Sequence, residues 1–383
     1  MKKILIFGPT EHQGGIESFI ELVISQLKGK AEFTIIQFTE NEIVHSDYIR
    51  KSKLANIVKL EFKTGIKGKL SFFNKKLMKN FLSKNHFDVL HINENSPASF
   101  WLAKIALHNK IKVIYEAHNS FATPIKFNYT PRFLLKWIRF NQKRKLNRLN
   151  IVPVAVSDLA AKSMFYKNKE VVFIWNSIDT DKFEFSEIDR ETLRNQMNIS
   201  LDSKVGMFAA RFVSQKNIFR ALHIAEESIS RGVLDFFVFI GDGVLSKDFN
   251  GELSKLSEKI STKILYLGKK DNIGRWYSFA DLFLMTSFYE GFPFTVVEAQ
   301  ASGLPTILSD SVTKQVKCTD LLTYYSLEKG NAEWVSTISK VFEIESNRYE
   351  RINYSKVVHN SKFSIENFKA SLIELYQLNT EKK

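Results

Sequence analysis

Glu290-Gly-Phe-Pro-Phe-Thr-Val-Val-Glu298-Ala-Gln-Ala-Ser-Gly-Leu-Pro305 is the stretch from which the fold of this chain is read. A run from Asp281 to Ser287 precedes it, and Gly291 and Pro293 then break the backbone. Thr295 is placed to cap a helix, and Val296 to Ala301 has the spacing of a buried one. Gly303 can end that helix before Pro305 opens a strand. Glu290 stands before the turn, and Glu298 is expected in the first helical turn.

A helix N-terminus carries unpaired N–H groups and partial positive charge, which suits a phosphate. Two carboxylates beside it oppose an anion unless they accept hydrogen bonds from a neutral, hydroxyl-rich part of the same ligand. A nucleotide sugar has that layout, with a diphosphate between a ribose and a hexose.

The same strand–helix alternation extends upstream from Val205. Strands are predicted at Val205–Ala210, Asp235–Gly241 and Ile264–Leu267, with helices at Asn217–Ser230, Glu252–Ile260 and Ile273–Asp281. The first strand runs into Arg211-Phe-Val-Ser-Gln-Lys216, two cations just before a helix. An Arg fork and a Lys point charge at one ligand edge make a diphosphate clamp. Gly241-Asp242-Gly243 ends the next strand, where glycine keeps the backbone low beside a ligand.

A second alternating unit fills the N-terminal half. Its strands are expected at Lys3–Phe7, Glu32–Phe38, Asp88–Asn93 and Val113–Tyr115, with closing strands at Val152–Ser157 and Val171–Ile174. Helices are expected at Ile16–Leu27, Leu70–Leu82 and Phe100–His108. Such apolar runs between helices imply a parallel sheet covered on both faces, with ligands outside the carboxyl ends of the strands. Gly14-Gly15 lies at one such end without forming a G-x-G-x-x-G fingerprint, and Glu116-Ala-His118-Asn119 lies at another. The polar stretch from Asn176 to about Ser203 is read as an interdomain linker. Its Asp179-Thr-Asp181 has the spacing of a divalent-cation pair, but its context does not favour a metal.

Composition bounds the remaining choices. A chain of 383 residues, 44% hydrophobic, suits two domains. No apolar run approaches the ~18 residues of a membrane span. The single cysteine, Cys318, excludes an internal disulfide, and together these features point to the cytoplasm. Residues 1–170 hold 29 Lys and Arg against 13 Asp and Glu, whereas the rest holds 26 against 28. One half carries the whole excess, which implies a polyanionic partner for that half. The strongest local signal is Arg132 to Arg148, with seven cations and no acid. At helical spacing Arg132, Lys136, Arg139 and Lys143 form a stripe beside Phe133, Trp137 and Phe140, with Leu134, Leu135, Ile138 and Leu149 turned toward a core. An anionic membrane surface is the partner expected for residues 132–148. No recognition module for nucleic acid accompanies the charge, so none is expected as a partner.

The Glu290–Pro305 segment resembles the E-x7-E signature of retaining glycosyltransferases of family 4, of the bacterial capsule and exopolysaccharide type. Gly14-Gly15, Glu116-Ala-His118, Arg211 with Lys216, and Gly241-Asp-Gly243 extend the resemblance over most of the chain. It implies an α/β GT-B fold, two Rossmann-like domains with parallel sheets facing across a cleft. Residues 1–175 would form the acceptor domain, the terminal helix from 363 to 383 returning to it, and residues 176–362 the donor domain. By the same resemblance Arg211 and Lys216 bind the donor diphosphate, Gly15 and Gly241 lie near it, and Glu298 holds the ribose. Glu290 and the backbone of Phe292, Pro293, Phe294 and Thr295 would meet the transferred sugar, with His118 beside it. Two departures stand out: Pro293 has no N–H to offer, and Ala210 replaces a common glycine. The implied reaction moves a hexose, from UDP in most of the family, to a hydroxyl of a glycan or lipid-linked acceptor. It needs no metal and no cofactor besides that co-substrate. The alternatives are a non-catalytic subunit of the same fold, a sugar-nucleotide epimerase, or a phosphorylase, for which no cofactor lysine is identified.

Overall fold

The computed structural model describes residues 1–11, 14–62, 72–119, 132–343 and 351–378, except the side chains of Phe72 and Arg132. The chain divides into two compact units, Met1–Asn176 with Glu366–Lys383, and Ser177–Ile365.

The first unit is built on a seven-stranded parallel sheet in the order β3-β2-β1-β4-β5-β6-β7. Its strands are β1 (Lys2–Phe7), β2 (Ala31–Gln37), β3 (Asn56–Lys59), β4 (Val89–Glu94), β5 (Lys112–Ala117), β6 (Val152–Ala155) and β7 (Val172–Phe173). Ile4, Leu5, Ile6, Leu90, Ile92, Val113 and Ile114 are buried, as expected of strands covered on both faces. Neither β3 nor the helix Ser46–Lys51 before it was predicted, because Asn56–Lys59 is an exposed edge with little apolar content. The predicted start of the next helix at Leu70 lies outside the described residues; the helix is observed over Phe72–Lys84.

The terminal helix Ile365–Tyr376 packs on this sheet. Phe368 meets Phe19 edge-on at 5.6 Å. At its C-terminal end, Lys2 Nζ donates to Tyr376 O and Lys112 Nζ to Leu375 O, both at 3.0 Å. Cations there satisfy carbonyls that the helix itself leaves unpaired.

The second unit carries a six-stranded parallel sheet, β10-β9-β8-β11-β12-β13. The strands are β8 (Val205–Ala209), β9 (Phe236–Ile240), β10 (Ile264–Tyr266), β11 (Leu282–Met285), β12 (Thr306–Ser309) and β13 (Leu322–Tyr325). An aromatic cluster of Phe208, Phe212, Phe237, Phe239 and Phe249 fills one side of the sheet. The predicted helix at Glu252–Ile260 is instead two, Ser246–Leu253 and Glu258–Ser261.

The stretch read as a linker folds as part of this unit. Ser186 caps the helix Glu187–Gln196 through Asp189 N at 3.1 Å. Arg190 and Arg194 on that helix are fully buried. Their guanidinium groups each meet Asp281 at 2.7 Å and also donate to Ser278 O and Phe279 O. Arg351 adds bonds to Tyr277 O at 2.9 Å and Ala280 O at 3.0 Å. Three buried arginines thus satisfy the last carbonyls of the helix Ile273–Phe279, just before β11. The stretch read as a linker thus holds a helix, Glu187–Gln196, whose arginines seal the end of another.

Candidate functional site

The Glu290–Pro305 stretch forms a turn and the helix Phe294–Ala301. The cap is Pro293, not Thr295, and no side chain caps the helix. Glu298, five residues into the helix, lies beyond its first turn. Gly303 has φ +61° and ends the helix as expected. A Cβ there would stand 2.6 Å from Arg351 Cα, so the residue also makes room for the buried arginine. Phe292 is buried against Phe363, with ring centroids 5.2 Å apart, so its side chain serves the core and only its backbone is available to a ligand.

Lys216 and Glu290 come together. Lys216 Nζ lies 2.6 Å from Glu290 Oε1, with both side chains largely buried. Gln215 Nε2 donates to Glu290 Oε2 at 3.3 Å and to Tyr289 O at 2.9 Å, and Phe288 N donates to Gln215 O. These bonds lock the loop after β8 to the loop after β11. Gln215 was not singled out in the sequence; its position beside Lys216 was the available signal. The ammonium retains further hydrogens, and each carboxylate oxygen retains a lone pair, so the pair can still serve a ligand. Arg211, in the same loop, is exposed and has no carboxylate partner among the described residues.

Gly241 and Gly243 act differently from the expectation. Gly241 has φ +134°, and a Cβ on it would fall 1.8 Å from Ala210 O. Phe212 N donates to Asp242 O at 2.9 Å, and Leu245 N to Phe212 O at 3.0 Å. The missing side chains admit the neighbouring loop that carries Arg211.

Glu298 Oε2 accepts from Tyr277 Oη at 2.8 Å. Burial pushes its carboxyl up to about 7, and the Tyr277 hydrogen bond only partly opposes this. Asp179 pairs with Lys182 at 3.3 Å. Among the described residues no three His, Cys, Asp or Glu side chains group as a metal site.

In the first unit, polar residues at period two converge at the carboxyl ends of β4 and β5. Asn93 lies opposite Glu116 in register, with His91 and His118 two residues away on their own chains. Tyr376 Oη lies 2.6 Å from His91 Nδ1, and His91 Nε2 lies 2.8 Å from Glu116 Oε2. His91 thus bridges Tyr376 and Glu116, while Glu116 Oε1 is buried with no hydrogen-bond partner among the described residues. His118 Nε2 lies 2.9 Å from Asn93 Oδ1, while Asn93 Nδ2 donates to Phe7 O. That second bond sets the amide, so His118 donates through Nε2 and keeps a lone pair on Nδ1. Burial holds the ring down to about 4, and nearby Glu116 opposes the shift without overcoming it. His118 is thus a neutral acceptor at neutral pH. The alternating H-x-N and E-x-H pairs were a legible signal for this cluster, but only His118 was singled out. Gly15 opens the helix Gly15–Gln26, and a Cβ on it would meet nothing within 4 Å. Among the described residues, packing does not require a glycine there.

The helix Arg132–Asn147 departs from the predicted stripe. Lys143 is tied down, donating to Lys162 O at 2.8 Å, and Arg139 is partly buried. Leu134, expected toward the core, is exposed, because core contact is concentrated later in the helix at Leu146. Phe133, Trp137 and Phe140 are 74%, 63% and 58% exposed.

Two family profiles match the chain: Glycosyltransferase Family 4 over residues 13–182 and Glycosyl transferases group 1 over residues 189–356. EpsF of Bacillus subtilis (strain 168), named as a glycosyltransferase, is 29% identical over 56% of this chain and 56% of its own length. An Escherichia coli protein named UDP-Gal:alpha-D-GlcNAc-diphosphoundecaprenol alpha-1,3-galactosyltransferase is 23% identical over 60% of this chain and 59% of its own. The chain thus spans little more than half the length of these curated relatives. Among solved structures, Anabaena Alr3699/HepE in complex with UDP and glucose aligns with TM-score 0.74 at 16% identity, covering 98% of this chain and 100% of that one. WaaG, a glycosyltransferase involved in lipopolysaccharide biosynthesis, aligns with TM-score 0.71 at 11% identity, covering 97% and 99%.

Proposed function

We propose a reaction for a chain that belongs to the family-4 glycosyltransferases and has the GT-B fold: transfer of a hexose from a nucleotide sugar, with retention of its anomeric configuration, to a hydroxyl of a glycan or lipid-linked acceptor in surface-polysaccharide synthesis. The relatives' names support the pathway, and UDP in the HepE complex supports a UDP donor. The observation that carries the proposal is the loop after β8. It holds an exposed Arg211 and the Lys216–Glu290 pair, tied to the loop that leads into an uncapped helix N-terminus.

The chemistry follows from these groups. As the bond from sugar C1 to the diphosphate breaks, negative charge develops on the phosphate. Arg211, Lys216 and the first N–H groups of Phe294–Ala301 stabilise it in a preorganised arrangement. Glu290 accepts from hydroxyls of the transferred sugar, Glu298 from the ribose, and His118 Nδ1 from a substrate hydroxyl. The acceptor oxygen bonds to C1 on the face the phosphate leaves, and its proton passes to that phosphate. No general base is assigned to Glu290 or His118.

A panel of sugar nucleotides tests the reading: one of them should raise the unfolding temperature and be turned over. Stabilisation by none would remove the donor assignment. Since protein cations supply the charge, EDTA should leave turnover unchanged, whereas strict Mn²⁺ or Mg²⁺ dependence would restore Asp179 and Asp181 as ligands.

Among the described residues no helix is long and apolar enough to cross a membrane. We assign peripheral docking on an anionic bilayer to the exposed Phe133, Trp137 and Phe140 with Lys136 and Arg144 beside them. Each such cation contributes about 1 kcal/mol. The protein should sediment with anionic vesicles and release in salt, and changing the three aromatics to Ser should weaken this about tenfold. Unchanged sedimentation would leave the helix face with no role in docking.

A further inference from the structure

Away from these groups, the first unit has a groove of about 910 Å³ between the helices Phe72–Lys84 and Phe100–His108. Lys75, Lys76 and Lys79 line it from the first helix, Lys104 from the second, and Lys145 from the helix Arg132–Asn147. Among the described residues no acidic side chain lines it. Among the described residues, none of these five lysines has an ion-pair partner. The floor is aromatic: Trp101 is buried, and Lys145 Nζ lies 5.4 Å over the centre of the Phe100 ring.

Five ammonium groups around one groove repel one another, and no carboxylate among the described residues pairs with them. A solvated surface usually intersperses charges of both signs, as the second unit does with Lys255–Glu252 and Lys329–Glu333. A bilayer offers a plane of anionic groups, which a convex helix face meets better than a groove. Nucleic acid needs exposed rings for stacking, and Trp101 is covered. A linear glycan bearing carboxylates or phosphates needs no exposed ring: its anions can reach the lysines while its hydroxyls meet the amides and hydroxyl of Asn80, Ser83 and Asn109 that also line the groove.

We propose that this groove binds an anionic glycan strand, at a place separate from the Arg211–Lys216 donor groups. The assignment to a glycan rests on the transferase reading; the binding itself does not, and its test requires no turnover. The probe is a fluorescent oligogalacturonate, read by anisotropy at low and high salt, against a neutral maltooligosaccharide of equal length. The acidic probe should bind, lose affinity as salt rises, and exceed the neutral one. Changing Lys75, Lys79 and Lys104 together to Gln should weaken it at least about tenfold, with UDP affinity and unfolding temperature unchanged. Equal binding of both probes, or undiminished binding by the triple variant, would overturn the proposal. So would loss of vesicle or oligonucleotide binding in that variant with oligogalacturonate binding retained, which would assign the groove to a bilayer or a nucleic acid. Should no sugar nucleotide be turned over while oligogalacturonate binding behaves as stated, the transferase reading fails and the groove remains an anionic-glycan site.

Discussion

The two units share one sheet plan and differ in how they treat charge. In each, the first strand of the unit is third in its sheet, and a glycine with positive φ follows a strand against its neighbour. Gly8 (φ +137°) meets Asn93 O, and Gly241 (φ +134°) meets Ala210 O. Beyond that shared device the strand ends diverge. The first unit buries His91, Asn93, Glu116 and His118 in a network that leaves His118 neutral. The second exposes Arg211 and holds Lys216 against Glu290. A common backbone plan therefore fixes where a ligand can meet strand ends, while local hydrogen bonding decides whether it meets a neutral acceptor or a cation.

The contrast extends to stability. Asp281→Asn should cost about 3–5 kcal/mol, because it strands the buried Arg190 and Arg194 with carbonyls alone. Tyr376→Phe removes a single buried hydrogen bond in the first unit and should cost about 1–3 kcal/mol. Chemical denaturation of both variants checks the order. Equal losses would mean that the carbonyl bonds, not the aspartate, hold the arginines.

Charge in the second unit should matter most for rate. Lys216→Ala and Glu290→Ala should each lower turnover by about 10²–10³ with the fold intact. If either kept more than about a third of wild-type turnover, its role in the transition state would be lost, since that corresponds to less than about 1 kcal/mol.

The smallest expected effect separates the two buried titrating groups. Burial pushes the Glu298 carboxyl up to about 7, and under the proposed role ribose hydroxyls would donate to its ionised form. Nucleotide affinity should therefore fall roughly tenfold from pH 8 to pH 6, as the carboxylate takes up a proton. His118, held down to about 4, stays neutral across that window and adds no slope. UDP titrations of the wild type and Glu298→Gln read this directly. An equal slope in the variant would assign it to the phosphate of the ligand.

Much of the fold was legible because buried parallel strands read as apolar runs between helices, as at Lys2–Phe7 and Phe236–Ile240. Edge elements such as Asn56–Lys59 escaped because they bury little. At the site, Glu290, Glu298, Arg211 and Lys216 stood out by type and spacing. The Lys216–Glu290 pairing did not, since 74 residues separate the partners.

Local sequence alone determined the alternation of strands and helices, the positive half and the group of charged residues around the Glu290 turn. Propensity and hydrophobic period act over a few residues, and so are written locally. Only tertiary structure decided that Arg190 and Arg194 leave solvent to seal a helix end. It alone decided that Asn93 sets the hydrogen on His118, and that five lysines from three helices surround one groove. Each depends on which distant groups share a buried space, where desolvation makes a hydrogen-bond partner decisive.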